Sequence, residues 1–236
     1  MKNKLLIIGN WKCNPISLAE AKKLFNDIKG GIKIVKNEVI VCPPFIYLGE
    51  FKIQNSKLKI QLGAQDCFWE NNGPYTGEVS PSMLRSLRVA YVIIGHSERR
   101  IHFQETDKII NKKLKAALKV GLKPILCIGE KRGENAEKVI DKQLKNDLKE
   151  LSVKEISKIV VAYEPVWAIG TGDFCPLDKA KKALKFIKSK INNKILYGGS
   201  VNSKISKRYT QAGFNGLLVG GASLNAKEFI KIVKNG

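Results

Sequence analysis

Short runs of aliphatic and β-branched residues recur along this chain, each closing on Gly, Pro, Asn or a charged residue. They occupy residues 5–9, 39–42, 60–64, 90–95, 124–129, 159–163, 195–198 and 216–220. Most are apolar at every position instead of alternating, the pattern of parallel strands covered on both faces. Between them lie Lys-rich stretches with apolar residues at helical spacing, such as 17–29, 108–120, 136–151 and 177–190. Asp107 stands where a helix cap belongs, and Leu177 and Asp178 follow a proline suited to a first turn. Eight β/α units in 236 residues predict an α/β fold of the closed (β/α)8 barrel type. A doubly wound open sheet is the alternative, but no GxGxxG follows the first run. With no low-complexity linker and no Pro/Gly/Ser-rich boundary, residues 1–236 are expected to form one domain.

Composition narrows the classes. No apolar run approaches the roughly 18 residues of a membrane span, and the run at 5–8 is shorter than the roughly 7 to 15 residues of a signal-peptide core. A soluble, untargeted, cytoplasmic protein with no membrane partner is expected. The five cysteines are odd in number, widely spaced and without a CxxC, so reduced thiols fit better than a disulfide framework or structural zinc. The formal charge of +21, from 42 basic against 21 acidic residues, raises nucleic acid as a partner. The basic residues are scattered, however, and 36 of them are lysine beside 27 isoleucines and 17 asparagines. That bias fits AT-rich coding drift as readily as a binding surface. Solvated helix faces are the favoured reading, and no specific nucleic acid is expected.

In a barrel the chemistry sits where strands end. The first run is followed by "GNWKCN", with Asn10 and Lys12, and the fourth by "IGHSERR", with His96 and Glu98. The sixth ends at Glu164 within "AYEPVWAIGTG", the seventh in "YGGS" and the eighth in "VGGAS". Singly these are weak signals, since a lone His is usually structural and a Lys usually solvated. Closing the sheet converges a carboxylate, an imidazole, an ammonium and two Gly-rich turns on one mouth. One connection is long: 65–81 carries Phe68, Trp69, Pro74 and Tyr75, and loops beyond about 12–15 residues tend to be functional or interfacial.

These stretches, together with "GAQDCFWENNGPYTGEVS", "CIGE", "YGGSV" and "GLLVGGASL", resemble the triosephosphate isomerase family over nearly the whole length. The resemblance implies a TIM barrel that interconverts dihydroxyacetone phosphate and glyceraldehyde 3-phosphate by moving a proton between adjacent carbons. The substrate would be a small phosphorylated triose, with no cofactor and no metal. Glu164 would be the base, a role that suits a carboxylate with two oxygens whose basicity rises as water is excluded. His96 would act as a neutral imidazole that polarises the carbonyl, at the start of a helical turn supplied by "SERR". Lys12, beside Asn10, would stabilise the enediolate and balance the phosphate, and Glu98 would hold Lys12. Backbone N–H groups at Gly170, Gly199-Ser200 and Gly220-Gly221 would cradle the phosphate, since glycine allows close approach.

The same resemblance makes Pro165, Val166, Trp167, Ala168, Ile169, Gly170, Thr171 and Gly172 a lid that excludes water. Pro165 biases Glu164 towards an extended backbone, and Trp167 would be a large apolar hinge anchor. A homodimer is implied, with loop 65–81 entering the partner, Thr76 approaching Asn10 and Lys12 of the partner subunit, and Cys13 near the interface. Three departures from the family pattern stand out. Asp173-Phe174-Cys175 occupies the far lid hinge, where the family usually has a lysine followed by small residues; Gln104 replaces a usual glycine; and the stretch from Pro176 to Ile195 is short, implying a trimmed sixth helix. Two rival readings are a basic scaffold that binds RNA or an anionic surface, and another phosphate-binding barrel enzyme such as a sugar-phosphate epimerase. The complete set Asn10, Lys12, His96, Glu98 and Glu164 opposes the first, and the scarcity of histidines and acidic clusters opposes the metal-dependent members of the second.

Overall fold

Each strand in the computed structural model is hydrogen-bonded to the next in chain order and the eighth returns to the first, closing a parallel barrel. The structure describes residues 4–33, 35–51, 60–170 and 172–235. The strands are β1 Leu6–Asn10, β2 Glu38–Cys42, β3 Ile60–Ala64, β4 Tyr91–Ile94, β5 Lys123–Ile128, β6 Val160–Tyr163, β7 Ile195–Tyr197 and β8 Gly216–Val219. Closure is direct, with Leu6 opposite Glu38 on one side and Gly216 on the other.

The uniformly apolar strands have the double burial that their pattern predicts. Leu6, Ile8, Ile40, Ile93, Ile125 and Leu218 fill the barrel interior, while Ile7, Val39, Val41, Val92 and Val219 face the second core beneath the helices. Burying both faces drives the fold, because each aliphatic side chain removed from water contributes on the order of 1.5–3 kcal/mol.

The helices are α1 Leu18–Gly31, α2 Phe45–Leu48, α3 Pro81–Ser86, α4 Ser97–His102, α5 Asp107–Lys119, α6 Ala136–Asp147, α7 Val153–Ile156, α8 Leu177–Lys190, α9 Ser206–Gln211 and α10 Ala226–Asn235. Two sequence expectations are corrected here. Thr106, not Asp107, caps α5, its hydroxyl accepting the Ile109 N–H at 3.4 Å; Asp107 is the first helical residue and pairs with Arg100 instead. The segment 136–151 is helical only as far as Asp147, where α6 stops; Glu150 then adopts φ 62°, and α7 begins beyond the segment behind a Ser152–Glu155 capping box. The short connection after Pro176 still accommodates α8, and the barrel closes around it.

Loop 65–81 packs on itself, with Phe68 buried between Trp69 and Tyr75 at centroid distances of 4.0 and 4.7 Å. A buried charge cluster ties its base to the helices: Lys113 reaches both Asp66 oxygens and Glu105, and Arg99 bridges the same two carboxylates. All five cysteines are free thiols; Cys13 is exposed and the other four are buried. Among the described residues no helix is long and apolar enough to cross a membrane.

Candidate active site

At the C-terminal ends of the strands lies a cavity of about 180 Å³, room for roughly six waters at liquid density. Its walls are Asn10, Lys12, His96, Glu164, Ile169, Gly170 and Gly172, together with the loops 198–201 and 220–222.

Lys12 enters this cavity from a strained backbone. Its φ is 53°, a left-handed conformation costing about 1–2 kcal/mol for a residue with a Cβ. Two side chains hold it there: the Lys12 N–H donates to Asn10 Oδ1 at 3.0 Å, and Gln65 Nε2 donates to the Lys12 carbonyl at 2.8 Å and to the Cys42 carbonyl at 2.9 Å. Lys12 Nζ meets Glu98 Oε1 at 2.5 Å. Partial burial alone would raise the Glu98 carboxyl, but the Lys12 hydrogen bond and the neighbouring cationic groups outweigh it and hold Glu98 below its ordinary value. Glu98 stands behind Lys12 and does not line the cavity.

His96 follows β4 and caps α4 with its own ring: Nδ1 accepts the Glu98 N–H at 3.2 Å. An accepting Nδ1 carries no proton, so this bond fixes the neutral tautomer with its proton on Nε2. Nε2 faces Glu164 Oε1 at 3.3 Å. Glu164 is 2% exposed; its Oε2 accepts the Ser97 N–H at 3.1 Å, while Oε1 has no hydrogen bond among the described residues. A carboxylate with one uncommitted oxygen beside an N–H donor, shielded from water, can take a proton from a carbon whose carbonyl the imidazole polarises.

Three further residues shape the site, and the sequence reading gave none of them a role. Gln65 was read only as the start of a long loop. Arg100, the second arginine of "SERR", donates Nε–H to the Gly95 carbonyl at 2.9 Å and grips Asp107 and Asp147 at 2.6 and 2.8 Å, fixing α4 against the end of β4. Glu130, the last residue of "CIGE", is buried and accepts hydrogen bonds from Trp167 Nε1 at 2.9 Å and Tyr163 Oη at 3.2 Å. Trp167 is therefore not a purely apolar anchor. It is half-buried, bonded through its indole N–H, and flanked by Arg132 and Lys179 at 5.7 and 5.5 Å. The signal for Arg100 and Glu130 lay inside the quoted motifs; their partners are distant in sequence.

Glycine is required where β5 meets β6. Gly129 has φ 158°, and a Cβ there would stand 1.8 Å from the Glu164 carbonyl oxygen. The Ser200 N–H donates to the Ala168 carbonyl at 3.0 Å, tying the loop after β7 to the turn Val166–Ala168 that follows Pro165. Gly220 lies against Lys12, Gly221 lines the cavity beside it, and Ile169, Gly170 and Gly172 close its outer wall. Thr171 lies outside the described residues. Thr76 and Cys13 are exposed and stand outside the cavity. Among the described residues no group of three or more His, Cys, Asp or Glu is placed to hold a metal.

Groups competent for acid–base chemistry and an ammonium line this mouth, and the closed barrel places this protein in the (β/α)8 class, whose enzymes carry their sites at this end. The triosephosphate isomerase family model matches residues 5–236. The chain is 43% identical to the triosephosphate isomerase of Clostridium tetani over 98% of this chain and 96% of that protein. It is 44% identical to those of Thermoanaerobacter pseudethanolicus, over 97% and 98%, and Dehalococcoides mccartyi, over 98% and 96%. The chain belongs to the triosephosphate isomerase family and is an isomerase.

Proposed function

We propose that this chain interconverts dihydroxyacetone phosphate and glyceraldehyde 3-phosphate through an enediolate, working as one catalytic domain in the cytoplasm. The observation that carries the mechanism is the approach of Glu164 Oε1 to His96 Nε2 at 3.3 Å over a cavity that also receives Lys12. Glu164 removes the proton from the carbon beside the carbonyl, and the freed electron pair moves onto the carbonyl oxygen. The His96 Nε2–H donates to that oxygen and the imidazole passes a proton between the two enediolate oxygens. Lys12 offsets the negative charge as it develops. Glu164 then returns its proton to the neighbouring carbon. Every atom and electron stays within substrate and side chains, so no cofactor is needed.

The phosphate is gripped by N–H groups of Gly170, Ser200, Gly220 and Gly221. The Ser200 N–H is bonded to Ala168 O in the present state, so the phosphate must replace that acceptor. Binding thereby releases the hinge of the lid 165–172 and favours its closure. A homodimer accords with the exposed Ile16, Ile46, Met83, Phe103 and Tyr75, with Thr76 and Cys13 at the contact. A fully active monomer in sedimentation would reject the dimer.

Glu164→Gln tests the reaction. The variant should fold and bind phosphoglycolate, a planar mimic of the enediolate, while kcat falls by orders of magnitude. Near-normal turnover would reject the assignment.

A further inference from the structure

The N-terminal ends of the strands carry a second concavity, remote from the mouth. A groove of about 970 Å³ opens between the residues leading into β1, β2 and β8, with α9 and the end of α10 as its sides. Four lysines line it, Lys4, Lys36, Lys207 and Lys234, above apolar contacts from Leu5 and Phe214. Among the described residues no carboxylate lines it. All four lysines are exposed, and none belongs to an ion pair among the described residues.

The protein's net charge alone does not produce this separation of sign. The groove beside Trp167 mixes Lys131, Arg132, Lys179 and Lys182 with Glu130, Glu134 and Glu137, and other lysines pair with acids at Glu50, Asp27, Glu150 and Asp141. Glu38, next in sequence to the groove residue Asn37, is engaged by Gln61 at 2.7 Å and Tyr91 at 2.9 Å. Three of the amides help to shape the walls: Asn37 bonds the Val233 carbonyl, Asn215 the Ile195 N–H and Asn235 the Ser203 carbonyl, while Gln211 adds a neutral polar group to the lining. The lysines are the cations left to meet a ligand. Ammonium groups of one sign around a concave apolar floor focus a positive potential, and the volume lies within the range of about 300–1,000 Å³ usual for small-molecule sites.

We propose that this groove binds a small polyphosphorylated molecule, its phosphate chain lying among the four lysines. A nucleoside triphosphate and inorganic tripolyphosphate share that chemistry. A single-stranded nucleic acid fits less well, because such sites stack bases on accessible aromatic rings, and the one aromatic residue of the lining among the described residues, Phe214, is 2% exposed. An occupant would bridge α9, α10 and the start of β1, bracing the seam where the first and last units meet, and would raise the thermal midpoint by linkage.

The test is calorimetric titration of the intact protein with ATP and, separately, tripolyphosphate at low salt, after saturating the mouth with phosphoglycolate. One saturable site per chain is expected for both. It should weaken at least tenfold in Lys207→Gln/Lys234→Gln and vanish in Lys207→Glu/Lys234→Glu, with turnover of dihydroxyacetone phosphate unchanged in both variants. Tighter binding of ATP than of tripolyphosphate would identify the nucleoside as a contributor, and equal binding would assign recognition to the phosphates; either supports the site. Absence of saturable binding, binding unchanged in the charge-reversed variant, or preferential capture of single-stranded RNA or anionic vesicles without competition by ATP would overturn it. Turnover is read separately, so failure here leaves the catalytic assignment untouched.

Discussion

Gln104 occupies a position built for glycine. It follows the end of α4 with φ 55°, where a left-handed residue lets the Glu105 N–H turn back to the Arg99 carbonyl at 3.3 Å. The turn delivers the Glu105 carboxylate to Lys113 and Arg99. The Gln104 side chain is exposed and makes no hydrogen bond among the described residues, so its removal forfeits little. A residue with a Cβ held in this conformation costs about 1–2 kcal/mol, whereas glycine loses about 0.5–1 kcal/mol more conformational entropy on folding. Gln104→Gly should therefore stabilise the chain by about 0.5–1 kcal/mol. For a protein of this length that is a rise of about 1–4 °C in Tm. Thermal and urea unfolding followed by circular dichroism, at one fixed protein concentration, measure it. Turnover should not change, because Gln104 lies outside the cavity. Gly213→Ala provides the opposite control: Gly213 has φ 104°, and that variant should lose stability. A midpoint that stays level or falls in Gln104→Gly would refute the strain argument.

Two other outcomes are expected. Burial lifts the Asp147 carboxyl to about 7 against the pull of Arg100, and its Oδ1 has no hydrogen bond among the described residues; a folded value above the unfolded one means that the stability this group contributes at low pH is lost as pH rises from 3.8 to about 7. Asp147→Asn removes that loss, so its stability relative to the parent should improve between pH 5 and pH 8 by on the order of 3 kcal/mol; a pH-independent difference in paired urea titrations would count against it. The charge of +21 should steer a phosphate dianion, but the screening length of roughly 8 Å at physiological salt confines the effect to cations near the mouth. Raising an inert salt should lower kcat/KM while kcat changes much less, and a flat kcat/KM would exclude steering.

Strand positions were legible because both faces of a barrel strand demand apolar residues, leaving runs such as Leu5-Leu6-Ile7-Ile8 with no competing reading. Asn10, Lys12, His96 and Glu164 were legible for a related reason: strand ends in a closed barrel converge, so position in the β/α repeat stands in for position in space. The helix ends were less so. Nothing in the polar run through Lys149 and Glu150 announces the left-handed residue that splits α6 from α7, and Thr106 and Asp107 are both competent caps whose choice depends on Arg100 claiming Asp107. Gln65, Arg100 and Glu130 were not assigned because each acts on a group remote in sequence; Gln65 and Lys12 are 53 residues apart. No local pattern records such a bond.

Those remote bonds form a sequence around the mouth. Gln65 after β3 and Glu98 after β4 hold Lys12 of the first loop, and Ser97 holds Glu164 at the end of β6. Glu130 after β5 holds Trp167, and Ser200 after β7 holds Ala168. Lys12, Glu164, Trp167 and Ala168 are thus each held in part by a neighbour that follows another strand, and for the strained Lys12 these bonds add to the one from Asn10 in its own loop. The Ser200–Ala168 bond differs from the rest, because on the proposed binding mode its donor is one that the phosphate requires. On the proposed mechanism a triose lacking phosphate supplies no acceptor to replace Ala168 O, so the hinge keeps its bond and the lid is not drawn closed. The phosphate, remote from the reacting carbons, would then contribute to turnover as well as to binding, by releasing a contact that opposes closure.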